Sequence, residues 1–153
     1  ETVATNGLWK SAFASTRCIV PMRGYYEWSG EKGDKQPHFV SGDAPILAAA
    51  GIATARRSDD GWVVSTAIIT REARDAAGEV HDRMPAFVTR DIYDEWLSPA
   101  KLVDDSEKQH LLDVLVASSD AVARTLTAVD VDRRVNNSRR IDPTDRGLIA
   151  PLG

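Results

Sequence analysis

The chain has 153 residues, near the commonest single-domain length, so one domain around one sizeable core is the expectation. A 42% hydrophobic and 27% charged composition is that of an ordinary soluble protein, and the apolar runs are too short to cross a bilayer, which excludes a membrane protein. The formal net charge of -4 excludes nucleic-acid binding through bulk positive charge, so any such contact must come from a local arginine groove.

Leu8, Trp9, Ala12 and Phe13 share one helical face and predict a short amphipathic helix over residues 5–14. Branched and aromatic runs at 18–21 and 24–28 read as strands, the glycine-containing segment 29–35 as a turn, and 38–41 as the returning strand. Two further strands are expected at 46–52 and 62–70, joined by a charged loop around Arg56, Arg57, Asp59 and Asp60. From Arg71 to Ala77 alanines and charges favour a short helix, followed by the loop 81–85 and a strand at 86–88. Residues 91–97 suggest another short helix. The clearest helix is 106–117, with Leu111, Leu112 and Leu115 as its apolar stripe and Ser106 as N-cap. A late strand at 126–131 precedes a polar stretch, 136–145, and an apolar tail, 148–152. Strands outnumber helices without regular alternation, which predicts an α+β fold with a mainly antiparallel, barrel-like sheet and short peripheral helices.

Cys18 is the only cysteine, so no intrachain disulfide forms, and with no signal-peptide core the expected location is the cytoplasm. The sequence starts at Glu1 rather than at a methionine and runs straight into a helix-like stretch, which leads us to expect that an N-terminal segment is missing.

Two segments concentrate chemistry. Gly24-Tyr25-Tyr26-Glu27-Trp28 sets an acid inside an aromatic strand, with Tyr25 and Glu27 on one face. A desolvated carboxylate there suits proton transfer; a solvated strand-edge glutamate is the plain alternative. His81-Asp82-Arg83-Met84-Pro85 packs a proton shuttle, an acid and a guanidinium into five residues, and its plain alternative is a surface Asp82–Arg83 pair. His38, His81 and His110 lie too far apart in sequence for a close-spaced metal-ligand pair, so no metal is expected. Cys18 and His81 can be written as a cysteine-peptidase dyad, but Cys18 opens an apolar strand and reads as packing. Arg133, Arg134, Arg139 and Arg140 form a basic cluster diluted by Asp130, Asp132, Asp142 and Asp145, the pattern of a solvated face.

In order and spacing, Glu1-Thr2-Val3-Ala4, Arg17-Cys18-Ile19-Val20-Pro21, Gly24-Tyr25-Tyr26-Glu27-Trp28, Lys35-Gln36-Pro37, Ile68-Ile69-Thr70, His81-Asp82-Arg83-Met84-Pro85 and Val135-Asn136-Asn137 resemble the SOS-response-associated peptidase family. The resemblance spans nearly the whole chain, and its third and sixth pieces, those holding Glu27 and His81, are the most specific. It implies a mostly β fold and covalent capture of abasic sites in single-stranded DNA. The nucleophile it implies is a mature N-terminal cysteine, exposed by self-removal of the initiator methionine, whose amine and thiol close a thiazolidine on the opened sugar. By the same resemblance Glu27 and His81 are the catalytic residues, Thr70 and Arg83 line the DNA path, no cofactor is needed, and the protein is expected to act as a monomer. The family's Met-Cys-Gly-Arg start and the Asn-Ala-Arg stretch ahead of Glu1-Thr2 are not in this sequence. A binding module for single-stranded DNA without chemistry is therefore the alternative expectation.

Overall fold

The computed structural model describes residues 2–153; Glu1 of the first motif lies outside the described residues. The elements in chain order are α1 (Lys10–Ser15), β1 (Arg17–Met22), β2 (Tyr25–Ser29), β3 (Gln36–Ser41), β4 (Leu47–Ser58), β5 (Gly61–Ile68), β6 (Thr70–Glu72), α2 (Asp75–Val80), β7 (Arg83–Pro85), α3 (Tyr93–Trp96), α4 (Asp105–Ala123) and β8 (Thr127–Asp130). Short 3-10 turns stand at Thr2–Ala4, Arg90–Ile92, Arg133–Asn136 and Arg146–Ile149.

The strands pair antiparallel in three sheets, ordered β1-β4-β5, β2-β3-β8 and β6-β7. The α+β class and the antiparallel pairing are as expected, whereas no closed barrel is found among the described residues. The first and third sheets are tied by single backbone bonds: Ala50 N–H donates to the Ala86 carbonyl (2.8 Å), Ile69 N–H to Ala50 (2.9 Å) and Ala86 N–H to Ile69 (2.8 Å).

Several boundaries differ from the sequence reading for local reasons. The first helix begins only at Lys10, because Leu8 N–H is taken by the Asn6 side chain and residues 5–9 form turns. Arg56 and Arg57 are strand residues: β4 and β5 stay in register to Ser58↔Gly61, so the connection shrinks to Asp59-Asp60, with Gly61 at φ 121 completing the tight turn. Arg71 and Glu72 belong to β6, and the following helix starts at Asp75 with φ 53, a left-handed value seldom adopted outside glycine. Residues 86–88 hold one isolated bridge, Ala49↔Phe87, in place of a strand. The long helix runs on to Ala123, and its N-cap is Asp104, not Ser106: Asp104 accepts from Glu107 N–H while the Glu107 carboxylate reaches back to Asp104 N–H, a capping box.

Two main apolar clusters hold the layers together. One packs Phe13, Ala50, Ile52, Trp96, Leu111 and Leu115; the other packs Val40, Leu47, Ala77, Met84, Phe87 and Leu126. Between α1 and the 96–100 segment lies a buried cation. The guanidinium of Arg17, 9% exposed, donates to the carbonyls of Phe13, Ala14, Trp96, Ser98 and Ala100 at 2.7–3.2 Å. Trp96 in turn donates its indole N–H to the Cys18 carbonyl at 2.8 Å, so the start of β1 is held from two sides.

Candidate active site and nucleic-acid interface

Glu27 stands on β2, in a hairpin whose turn depends on glycine at one place: Gly30 has φ 85, and a Cβ there would come within 2.8 Å of the Asp34 carbonyl. Opposite residues of an antiparallel pair share a face, so Tyr25↔Val40 and Glu27↔His38 all project to the same side. That side is covered by α2, since Ala77 of α2 is buried in one cluster with Val40, Met84 and Phe87, and Tyr25 and Ala128 pack against it. The Tyr25 ring lies 6.4 Å from Phe87, and its buried hydroxyl has no hydrogen-bond partner among the described residues. Burial, and then the nearby charge of Glu27, push the Tyr25 phenol well above its ordinary value, so it stays protonated. Glu27 itself is half-buried and forms no ion pair among the described residues.

His81 follows the C-terminal end of α2, its N–H closing the last turn on the Ala77 carbonyl at 3.1 Å. Glu27 thus occupies the sheet face beneath the helix that carries His81. Nδ1 of His81 lies 3.1 Å from Arg83 N–H and 3.1 Å from Asp82 Oδ1. One nitrogen cannot serve both at once: unprotonated it accepts from Arg83, and protonated it donates to Asp82. The loop is pinned to β6 by Ala73 N–H donating to the Asp82 carbonyl at 2.9 Å.

Arg83 and Thr70 are brought together by the β6-β7 pairing. The guanidinium donates from Nη2 to the Thr70 carbonyl at 2.7 Å and to its hydroxyl at 2.8 Å. The Asp82–Arg83 pair offered by the sequence as the plain alternative is not formed among the described residues; Asp82 faces His81. Thr70 and Arg83 line a cavity of about 200 Å³ together with Thr2, Val3, Trp9 and Ile69. Nε and Nη1 of Arg83 have no partner among the described residues and remain as separate single donors, since Nη2 is spent on Thr70.

Cys18 is half-buried, with its sulfur 2.9 Å from where a Cβ on Gly51 would stand, and burial pushes its thiol up, away from the reactive thiolate. Its thiol makes no hydrogen bond to His81 or any other described residue. Two of the four arginines of the basic cluster are paired: Arg133 with Asp34, and Arg134 with Asp132 (3.3 Å) and Asp145 (2.9 Å). Among the described residues no group of three His, Cys, Asp or Glu side chains is placed to hold a metal, and no helix is long and apolar enough to cross a membrane.

A family model described as SOS response associated peptidase matches residues 1–138. The chain belongs to this family. Among curated relatives of this SOS response associated peptidase domain, the abasic site processing protein YoaM of Bacillus subtilis is 30% identical over 115 residues, covering 73% of the chain and 51% of that protein. The abasic site processing protein YoqW of the same organism is 28% identical over 146 residues, covering 94% and 62%. The chain therefore spans half to three-fifths of these relatives. A crystal structure of a protein from Bacteroides thetaiotaomicron is similar in fold, with a TM-score of 0.74 at 24% identity over 99% of the chain and 63% of that protein.

One residue of this family member escaped the sequence reading. His38 enters there only as a poor metal ligand, yet it sits across from Glu27, with both ring nitrogens engaged. The hairpin register that places it depends on how the turn 29–35 closes, which the residue types alone do not determine.

Proposed function

We propose that the domain processes abasic sites in single-stranded DNA by covalent capture. The observation that supports this reading is Glu27 on the sheet face that α2 covers and His81 directly after α2, with Arg83 two residues further on bonded to Thr70. The names of the relatives, abasic site processing proteins, support the substrate class.

In this reading Arg83 holds a backbone phosphate and leaves the baseless sugar beside Glu27 and His81. His81 moves the proton between the ring oxygen and the anomeric hydroxyl, which opens the sugar to its aldehyde. Its two alternative Nδ1 contacts, to Arg83 N–H and to Asp82, stabilise the unprotonated and protonated ring in turn. The amine of an N-terminal cysteine adds to the aldehyde, Glu27 accepts the proton it sheds, water leaves, and the thiol closes on the imine carbon to give a thiazolidine. That cysteine is not among the residues of this chain, whose only cysteine is Cys18. The protonated, packed thiol of Cys18 favours, for this chain taken alone, the second reading of a binding module without chemistry.

The test is crosslinking to a single-stranded oligonucleotide bearing one abasic site. The full-length protein with an N-terminal cysteine is expected to form a heat-stable adduct, Cys18→Ser to form it equally well, and the 153-residue chain to form none. Loss of the adduct in a folded Cys18→Ser protein would transfer the nucleophile to Cys18 and end this reading.

Arg83→Ala is expected to weaken binding of undamaged single-stranded DNA by about tenfold at low salt, the worth of one charge-assisted contact. The slope of log affinity against log salt should fall by about 1. Anisotropy titrations at several salt concentrations measure both, and an unchanged slope would reassign Arg83 to bracing Thr70.

A further inference from the structure

The register of the β2-β3-β8 sheet places Glu27, His38 and Asp130 in one row, each opposite the next. Directly opposed residues have Cβ atoms about 5 Å apart and share a face, so the His38 ring stands between two carboxylates. Its surroundings are fixed. Nδ1 lies 2.9 Å from Asp130 Oδ1, Nε2 lies 2.7 Å from the Ser29 hydroxyl, and the side chain is only 13% exposed. With both nitrogens taken, the ring makes no hydrogen bond to Glu27.

The Ser29 contact makes this row able to hold a proton without rearranging. A hydroxyl can donate or accept. When the ring is neutral, Nδ1–H donates to Asp130 and Nε2 accepts from Ser29. When it is protonated, Nε2–H donates to Ser29 and the Asp130 bond is kept and gains charge assistance. Protonation therefore reverses one hydrogen bond and breaks none.

We propose that His38 is a positioning residue for Glu27, a proton-holding group whose charge state sets the field in which the Glu27 carboxylate takes up or gives up its proton. The proposal rests on the assignment of Glu27 as the base at this site. Ser29, His38 and Asp130 have the connectivity of a nucleophile–base–carboxylate triad, but Asp130 is 58% exposed and Ser29 ends a strand, whereas the row leads directly to Glu27.

Other charges lie on the row's strands and on the elements packed beside it. From β2 and β8 they are Glu27 and Asp130 themselves. From the 3-10 turn packed beside β3, Arg133 bonds to Gln36 and pairs with Asp34. The covering helix α2 carries Asp75 and Glu79 and is followed by His81. Of these groups, His38 is the one directly opposite Glu27 in the sheet register.

The 153-residue chain itself allows the first test, by carbon NMR of the Glu27 carboxyl and the His38 ring across pH. The Glu27 carboxyl shift is expected to move a second time over the range in which the His38 ring titrates, and this step should vanish in His38→Gln. In Asp130→Asn, which keeps the ring but removes its acceptor charge, both the ring titration and the Glu27 step should move together to lower pH. A Glu27 shift that stays flat while His38 titrates, or a step that persists in His38→Gln, would overturn the proposal. The second test is the pH dependence of crosslink formation in the full-length protein: His38→Gln should lose one limb of the profile while affinity for undamaged single-stranded DNA is unchanged. An unaltered profile would reduce His38 to a strand brace. If the wild-type protein forms no crosslink, the catalytic reading of the site fails, and the NMR coupling still decides whether His38 controls Glu27.

Discussion

In the full-length protein, Glu27→Ala and His81→Ala are each expected to slow crosslink formation by about 100-fold or more, the usual contribution of a positioned acid or base. Binding of undamaged single-stranded DNA should be nearly unchanged. This split is the signature of groups that act on the reacting atoms, since in the proposed reading docking would depend on phosphate contacts such as one at Arg83. Single-turnover rates with an abasic oligonucleotide, set beside anisotropy titrations, measure the two quantities independently. Equal losses in rate and affinity would assign both residues to docking. A full-rate Glu27→Ala protein would leave the amine's proton without its acceptor and remove Glu27 from the mechanism.

Arg17→Ala is expected to be the most damaging substitution to stability outside the large core side chains. The guanidinium has no carboxylate partner among the described residues; it satisfies five carbonyls that α1 and the 96–100 segment leave open. Truncation strands those acceptors away from water and removes the link between the two segments. The expected cost is about 3–5 kcal/mol, the range for breaking a buried charged network by removing one partner. For a chain of this length that lowers the melting temperature by on the order of 10 °C. Arg17→Lys should recover little, because one ammonium cannot reach carbonyls spread around a planar fork. Thermal denaturation followed by circular dichroism reads this directly, and a shift of only a degree or two would show that water replaces the guanidinium without penalty.

Much of the fold is legible in the residues because the physical signals are local. The alternation in β2 and β3 and the glycines between them mark a hairpin, and the leucine stripe marks α4. The errors fall where a longer-range partner overrides local preference. Arg56 and Arg57 look like loop residues, but each is paired across the ribbon, with Val63 and Trp62, which extends the strand. Arg71 sits in a helix-favouring run, yet its backbone is claimed by Met84 in the β6-β7 pairing. The same distinction holds for the site. Glu27 and His81 stand out because an acid among aromatics and a histidine beside an arginine are locally unusual. His38 does not stand out, since its meaning comes from a strand opposite and from Asp130, 92 positions further along the chain, in the next strand.

The helix that carries His81 is six residues long and holds one buried side chain, Ala77. So short a helix is unstable by itself and exists because the surrounding sheet accepts that one methyl group. Opening of α2 needs far less free energy than global unfolding, since few apolar contacts are lost. Each such excursion would move His81, the residue that follows α2, and uncover the sheet face on which Glu27 lies. Under the proposed mechanism, entry of a DNA strand and assembly of the active site would then be coupled to one local folding equilibrium, so that warming within the native range would change the fraction of competent molecules before it changed the fraction of folded ones.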